Sequence, residues 1–360
     1  MDKLRVGILG ATGMVGQQFI HRLHDHPWFR ITRLAASKRS AGKPYAESIA
    51  GRWALGGDVP ASAGDLLVYD VYDMDQIIPE VDLVFCAVSL EKDATRALED
   101  DYAHKEIPVV SANSAHRWTA DVPVLIPEVN PDHISVIDAQ RRRLGTRRGF
   151  VTAKPNCSIQ PYVPALHALA DFVPLRASIC TYQAISGAGK TFATWPEMED
   201  NIIPFIGGEE EKSIREPLKI WGQVRDGQII PADRPVISAQ CIRVPVSDGH
   251  LAAVSVSFER KPDRELVLER WSTYRGRPQE LELPSAPTPF MHYFHEDDRP
   301  QTRLDRNHGD GMGVTLGRLR EDNLFDYAFV ALSHNTVRGA AGGAILTAEL
   351  LHAEGYIEAA

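Results

Sequence analysis

Two side chains in this sequence have the chemistry of a covalent catalyst, the Cys157 thiol and the His250 imidazole. Cys157 follows Lys154-Pro155-Asn156 and precedes Ser158–Ala170, a stretch that reads as a helix. A thiol at a helix N-terminus is favoured as its thiolate by the dipole and by free N–H groups. Thiolates attack acyl carbonyls and acyl phosphates. Taken alone, this position suits a core cysteine as well as a nucleophile. The run Arg243-Val244-Pro245-Val246-Ser247-Asp248-Gly249-His250 favours the nucleophile. An arginine can grip a carboxylate through two parallel hydrogen bonds, and a histidine can move a proton near neutral pH. Cys86 and Cys180 lie inside apolar strand-like runs and Cys241 adjoins one, so these three read as inert core thiols.

A second site is written near the start of the chain. Gly10-Ala11-Thr12-Gly13-Met14-Val15-Gly16 joins an apolar strand to a helical pattern. That is where a dinucleotide pyrophosphate rests on a helix N-terminus, with glycine allowing the backbone to come close. Where sites for NAD carry an acidic residue, about 20 residues later, this chain reads Ala35-Ala36-Ser37-Lys38-Arg39-Ser40. Two cations and two hydroxyls, Ser37 and Ser40 among them, suit a 2′-phosphate, so NADP is expected over NAD. Gly189-Lys190-Thr191 resembles the end of a phosphate-binding P-loop, but Ala184 stands where its first glycine belongs. The histidines show no metal-binding spacing, and no metal is expected.

These groups need a scaffold to hold them. Leu4–Leu9, Ile31–Ala36, Val81–Val88 and Val109–Ser111 read as short buried strands, with a helix from Gly13 to about His26. Such alternation implies βαβ units and a parallel, doubly wound α/β sheet. The texture changes near Phe150. Ala177–Ile185 and Ala252–Phe258 read as longer strands of an antiparallel or mixed sheet. The expected division is a dinucleotide-binding domain over 1–155 and an α+β catalytic and dimerisation domain over 156–334. A C-terminal helix at about 335–360 is expected to pack back on the first domain. The 360 residues suffice for two cores. A formal charge of −9 argues against nucleic acid as a partner. Four cysteines without a CxxC pair indicate a reducing compartment, and neither a secretory leader nor a membrane span is legible, so the cytoplasm is expected.

In order along the chain, the runs GATGMVG, SKRSAGK, PNCS, QAISGAGK, GEEEK, RVPVSDGH and NTVRGAAGG together resemble aspartate-β-semialdehyde dehydrogenases of the archaeal and fungal branch. The resemblance spans essentially the whole chain. It implies NADPH-dependent reductive dephosphorylation of β-aspartyl phosphate to aspartate semialdehyde, a reversible step of amino-acid biosynthesis, through a cysteine thioester. Cys157 matches the nucleophile and His250 the acid/base. Gln183 matches a substrate-positioning glutamine and Arg243 the clamp on the α-carboxylate. Glu209 and Lys212 match the pair that meets the substrate amine and the phosphate, with the register among Glu209, Glu210 and Glu211 open. Arg117 and Asn156 match phosphate-site residues. Gly10, Thr12, Gly13, Met14, Val15, Ser37, Arg39, Ser40, Ser186, Gly187 and Asn335 are the expected cofactor contacts. The resemblance also implies a homodimer or homotetramer. Ile159, His116 and Lys38 depart from the expected pattern without removing a catalytic group. The alternatives are a malonyl-CoA reductase acting on an acyl-CoA with the same machinery, and a non-catalytic NADP-binding regulator; the second would be expected to have lost Cys157 or His250.

Overall fold

The computed structural model describes residues 2–359. Six short strands form one parallel sheet: β1 (Leu4–Leu9), β2 (Phe29–Ala36), β3 (Val68–Asp70), β4 (Leu83–Cys86), β5 (Val109–Ser111) and β6 (Val151–Ala153). They lie in the order β3-β2-β1-β4-β5-β6. This is the doubly wound arrangement, in which ligands bind at the carboxyl ends of the strands where the order reverses. All four residues of β4 are buried, as a strand covered on both faces requires. β3 is only three residues long, too short for a periodicity to announce it.

The helix Met14–Leu23 follows β1 and buries Phe19, Ile20 and Leu23 against the sheet. Phe19 stacks on Phe85 of β4, with ring centroids 4.7 Å apart. The C-terminal helix Gly342–Ala353 enters the same core through Ile345, Leu346, Leu350 and Leu351. The chain thus returns to its first core. That helix is buried almost all round, which explains why its sequence shows little amphipathic contrast.

The second sheet is mixed. After β7 (Pro174–Gln183), a two-stranded hairpin forms from β8 (Gln223–Arg225) and β9 (Gln228–Ile230). β10 (Val236–Arg243), β11 (His250–Phe258), β12 (Met291–Phe294), β13 (Val314–Glu321) and β14 (Tyr327–Ser333) complete the sheet, in the order β10-β7-β11-β14-β13-β12. β10 runs parallel to β7, and β12 parallel to β13; the other pairs are antiparallel. Alternate residues of β11, including Ala252, Val254, Val256 and Phe258, face a core shared with Tyr162, Trp271 and Phe329.

Register brings one end of this sheet to the site. Gln183 ends β7 and pairs with Arg243, the end of β10. β11 runs the opposite way, so its first residue, His250, lies at that same end and pairs with Ser333 at the end of β14.

The helix expected over Ser158–Ala170 is broken. A 3₁₀ turn covers Cys157–Ile159, an α-helix only Val163–His167, and a second 3₁₀ turn Ala170–Phe172. Pro161 and Pro164 are the physical reason: neither has an N–H to donate, and each disfavours helical backbone at the residue before it. A turn of three residues carries little dipole, so the expected long-helix assistance to the Cys157 thiolate is absent.

Candidate active site

Cys157 follows β6, at the carboxyl end of the parallel sheet, and meets the end of the mixed sheet just described. Its Sγ lies 3.4 Å from His250 Nε2. Asn156 caps the turn, its side-chain oxygen accepting from the Ser158 amide at 2.8 Å. His250 is fully buried, and its Nδ1 accepts from the Ala184 amide at 3.1 Å. Burial, reinforced by the charge of Arg243, lowers the imidazole pKa to about 3. Burial also raises the Cys157 thiol, and Glu209 adds to the rise; Lys154, Arg117 and Arg243 oppose it. In the free protein both groups are therefore neutral, a correction to the thiolate favoured by the sequence.

Cys157 opens on a cavity of about 370 Å³ lined also by Arg117, Asn156, Gln183, Ser186, Gly187, Glu209, Lys212, Arg243 and Asn335, with His250 buried behind it. Val15 of the first helix reaches it too. Arg243 is held by an Nη1–H donated to the Ala184 carbonyl at 2.6 Å. Glu209, the first residue of the helix Glu209–Ile220, accepts from Lys212 Nζ at 2.8 Å and from Asn156 Nδ2 at 3.0 Å. Burial would raise its carboxyl pKa, but Lys212, Asn156 and Gln183 outweigh it and hold Glu209 ionised below the usual carboxylate range. Glu211 is exposed and pairs with Arg215; of the three glutamates, Glu209 lines the cavity.

Two glycines are required by contact. A Cβ on Gly187 would stand 2.9 Å from Arg243 Nη1 and 3.0 Å from His250 Cε1. A Cβ on Gly339 would stand 2.7 Å from Cys157 Cβ. Gly339 belongs to a π-helical turn, Val337–Ala341, an irregularity frequent at functional sites. Asn335 ties two pieces together, accepting from the Gly249 amide at 2.8 Å and donating to Ser186 Oγ at 2.8 Å.

The glycine loop lies at the end of β1, beside the point where the strand order reverses. Gly10 has a φ of +90°, and a Cβ there would collide with the Ala87 carbonyl. A Cβ on Gly16 would collide with the Gly10 carbonyl. Gly13 caps the first helix without a side-chain bond, leaving the N-terminal amides for a ligand. Thr12 and Met14 sit in this turn, and Met14 also borders a smaller cavity of about 230 Å³ with Ser186 and Lys190. Ser37, Lys38 and Arg39 are exposed past the end of β2. Ser40 is not: it is buried under that turn, where its carbonyl accepts from Ser48 Oγ.

Residue patterns missed part of this site. Glu216 is buried and bonds both Arg117 and the Asn156 amide. Its signal was the spacing of Glu209, Lys212 and Glu216 on one helix face, the face that turns inward. Lys154 is buried with its Nζ donated to the Pro155 carbonyl at 2.5 Å, and burial lowers its pKa to about 7. Nothing in the local sequence distinguishes it from an exposed lysine.

Comparison with known proteins agrees with this architecture. The semialdehyde dehydrogenase NAD binding domain family matches residues 5–137, and the semialdehyde dehydrogenase dimerisation domain family matches residues 166–338. Aspartate-semialdehyde dehydrogenase of Methanothermobacter thermautotrophicus is 45% identical over 353 residues, covering 97% of this chain and 99% of that one. The chain belongs to the aspartate-semialdehyde dehydrogenase family. The enzyme of that name from Archaeoglobus fulgidus is 43% identical over 98% of this chain and 99% of its own. A crystal structure of the Candida albicans aspartate semialdehyde dehydrogenase with NADP superposes with a TM-score of 0.88 at 38% identity, covering 99% of this chain and all of that one. Like other aspartate-semialdehyde dehydrogenases, the chain is an oxidoreductase of amino-acid biosynthesis. No helix among the described residues is long and apolar enough to cross a membrane.

Proposed function

We propose that the chain reduces β-aspartyl phosphate to aspartate semialdehyde with NADPH, reversibly, through a thioester on Cys157. The observation that carries this reading is Cys157, 3.4 Å from His250, opening on a cavity with Arg243 and Glu209 on its wall. Arg243 offers a planar fork for the substrate α-carboxylate. Glu209, ionised, accepts the substrate ammonium. Lys212 and Arg117 hold the phosphate and take up charge as it leaves. Gln183 and Asn156 orient the acyl group.

Cys157 attacks the acyl carbon, its thiol proton passing to the departing phosphate, which leaves as hydrogen phosphate, and a thioester remains. When bound, the nicotinamide cofactor supplies the hydride that reduces the thioester carbonyl. His250 Nε2–H, beside the sulfur, donates a hydrogen bond to the developing oxyanion and keeps its proton; collapse of the thiohemiacetal anion frees the aldehyde and returns the thiolate, which regains a proton from solvent. The tight glycine loop and the bare N-terminus of Met14–Leu23 fit a pyrophosphate. Ser37 and Arg39, with Lys38 beside them, suit the 2′-phosphate of NADP. Ser186, Gly187 and Asn335 complete the cofactor wall.

We assign residues 1–155 with the C-terminal segment 335–360 to cofactor binding, and 156–334 to substrate binding and assembly into a homodimer or homotetramer in the cytoplasm. The buried carboxylate of Glu209 beside Lys212 favours an amino-bearing acyl phosphate over a CoA thioester. The test is aspartate semialdehyde oxidation with NADP. Reduction of the cofactor that requires inorganic phosphate supports the reading; equal rates with CoA in place of phosphate contradict it.

A further inference from the structure

Arg117 reaches the cavity from the loop after β5, whereas Cys157 reaches it from the loop after β6. Nothing in the backbone pairing of those strands fixes the two side chains relative to each other. One carboxylate does. Glu216, on the inward face of the helix Glu209–Ile220, is 2% exposed. Its Oε1 accepts from Arg117 Nη1 at 2.9 Å, and its Oε2 accepts from the Asn156 amide, next to Cys157, at 2.7 Å. Arg117 Nε donates to the Lys154 carbonyl at 3.0 Å. One helical turn further on, Lys219 donates to the carbonyls of Arg117, Thr119 and Val122 at 2.8–3.0 Å. The same helix also begins with Glu209 and Lys212 on the cavity wall.

We propose that Glu216 is a positioning residue that sets the phosphate-binding guanidinium of Arg117 in register with the Cys157 turn. The inference rests on the reading of Arg117 as a phosphate ligand. A carboxylate is the right group for the task. It offers two oxygens, each able to take a charge-assisted bond, to two donors on different loops. An amide offers one acceptor and sets an N–H against the other donor. A burial-only role would need neither oxygen to be aimed at a residue of the site.

The experiment measures KM for inorganic phosphate and for aspartate semialdehyde in the oxidative direction, with NADP saturating. Three variants are compared: Glu216→Gln, Arg117→Met and the double variant. The double variant removes both buried charges together and so avoids leaving one unpaired. Glu216→Gln is expected to raise the phosphate KM at least about tenfold, the change of one lost charge-assisted bond, with a much smaller change in the semialdehyde KM. In the Arg117→Met background the same change is expected to have little further effect on phosphate, because both act through one guanidinium. Should Glu216→Gln not fold, Glu216→Asp keeps the charge, shortens the reach and carries the same split between the two KM values. A raised phosphate KM in Arg117→Met with none in the Glu216 variants, or additive effects in the double variant, overturns the inference and leaves Arg117 in place. No change in Arg117→Met overturns both.

Discussion

The Ala184 amide donates to His250 Nδ1 at 3.1 Å, and that bond decides which nitrogen of the imidazole carries the proton. Nδ1 can accept only if it is bare, so the neutral ring holds its hydrogen on Nε2, the atom 3.4 Å from Cys157 Sγ. Burial lowers the imidazole pKa to about 3, so the ring keeps this neutral form near neutral pH. His250 is therefore set as a donor toward the sulfur and the reacting oxygen, and the resting ring is not set to take the thiol proton. Nitrogen-15 NMR of the ring is expected to show a neutral, Nε2-protonated imidazole from pH 5 to 8. A ring titrating near the ordinary histidine value would contradict this. His250→Ala should lower kcat by roughly 10²–10³-fold, the usual cost of removing a positioned donor to developing negative charge, with NADP affinity retained.

Lys154 bears on the thiol from behind. Burial is the main cause of the raised Cys157 pKa, and Lys154 is the first of the cations opposing it. A cation stabilises a thiolate and so lowers its pKa; removing the cation raises it. Lys154→Met is expected to slow alkylation of Cys157 by iodoacetamide at pH 7, with rates converging at high pH where both thiols are ionised. Because Lys154 itself has a pKa of about 7, the difference should shrink as pH rises above that value. An unchanged alkylation profile would remove Lys154 from the electrostatics of the site.

The exposed turn after β2 bears on cofactor choice. Arg39→Ala is expected to weaken NADPH binding far more than NADH binding, by roughly 1.5–3 kcal/mol for a lost charged hydrogen bond. Calorimetric titration with both cofactors reads the difference. Equal losses would show that the turn does not distinguish them.

Arg243→Lys keeps the charge and loses the planar fork. The expected result is a large fall in kcat/KM for aspartate semialdehyde, with NADP affinity unchanged. Kinetics equal to those of the unaltered protein would exclude Arg243 as the carboxylate clamp.

The sequence and the structure agree where a residue's role is local. The apolar runs at Leu4–Leu9 and Val109–Ser111 are strands, and the glycine loop between β1 and the first helix forms the turn its glycines require. Cys157 and His250 could be singled out because each sits beside turn chemistry that a plain core residue lacks. Other features depend on partners distant in the chain. Glu216 matters because Arg117, 99 residues away, lies against it. The tautomer of His250 depends on an amide 66 residues away. The neutral state of Cys157 follows from burial, and burial is a property of the assembled core. Over Ser158–Ala170 the expected helix fails for a local reason, because Pro161 and Pro164 interrupt its hydrogen bonding.

The covalent step on Cys157 is tested most directly by mass spectrometry of the protein mixed with aspartate semialdehyde and NADP in the absence of phosphate. Hydride loss without an acceptor for the acyl group should leave an acyl adduct on the peptide containing Cys157. Added phosphate should discharge it, and Cys157→Ala should bind NADP normally yet form no adduct and show no turnover. An adduct on Cys86, Cys180 or Cys241 instead, or full activity in Cys157→Ala, would contradict the mechanism.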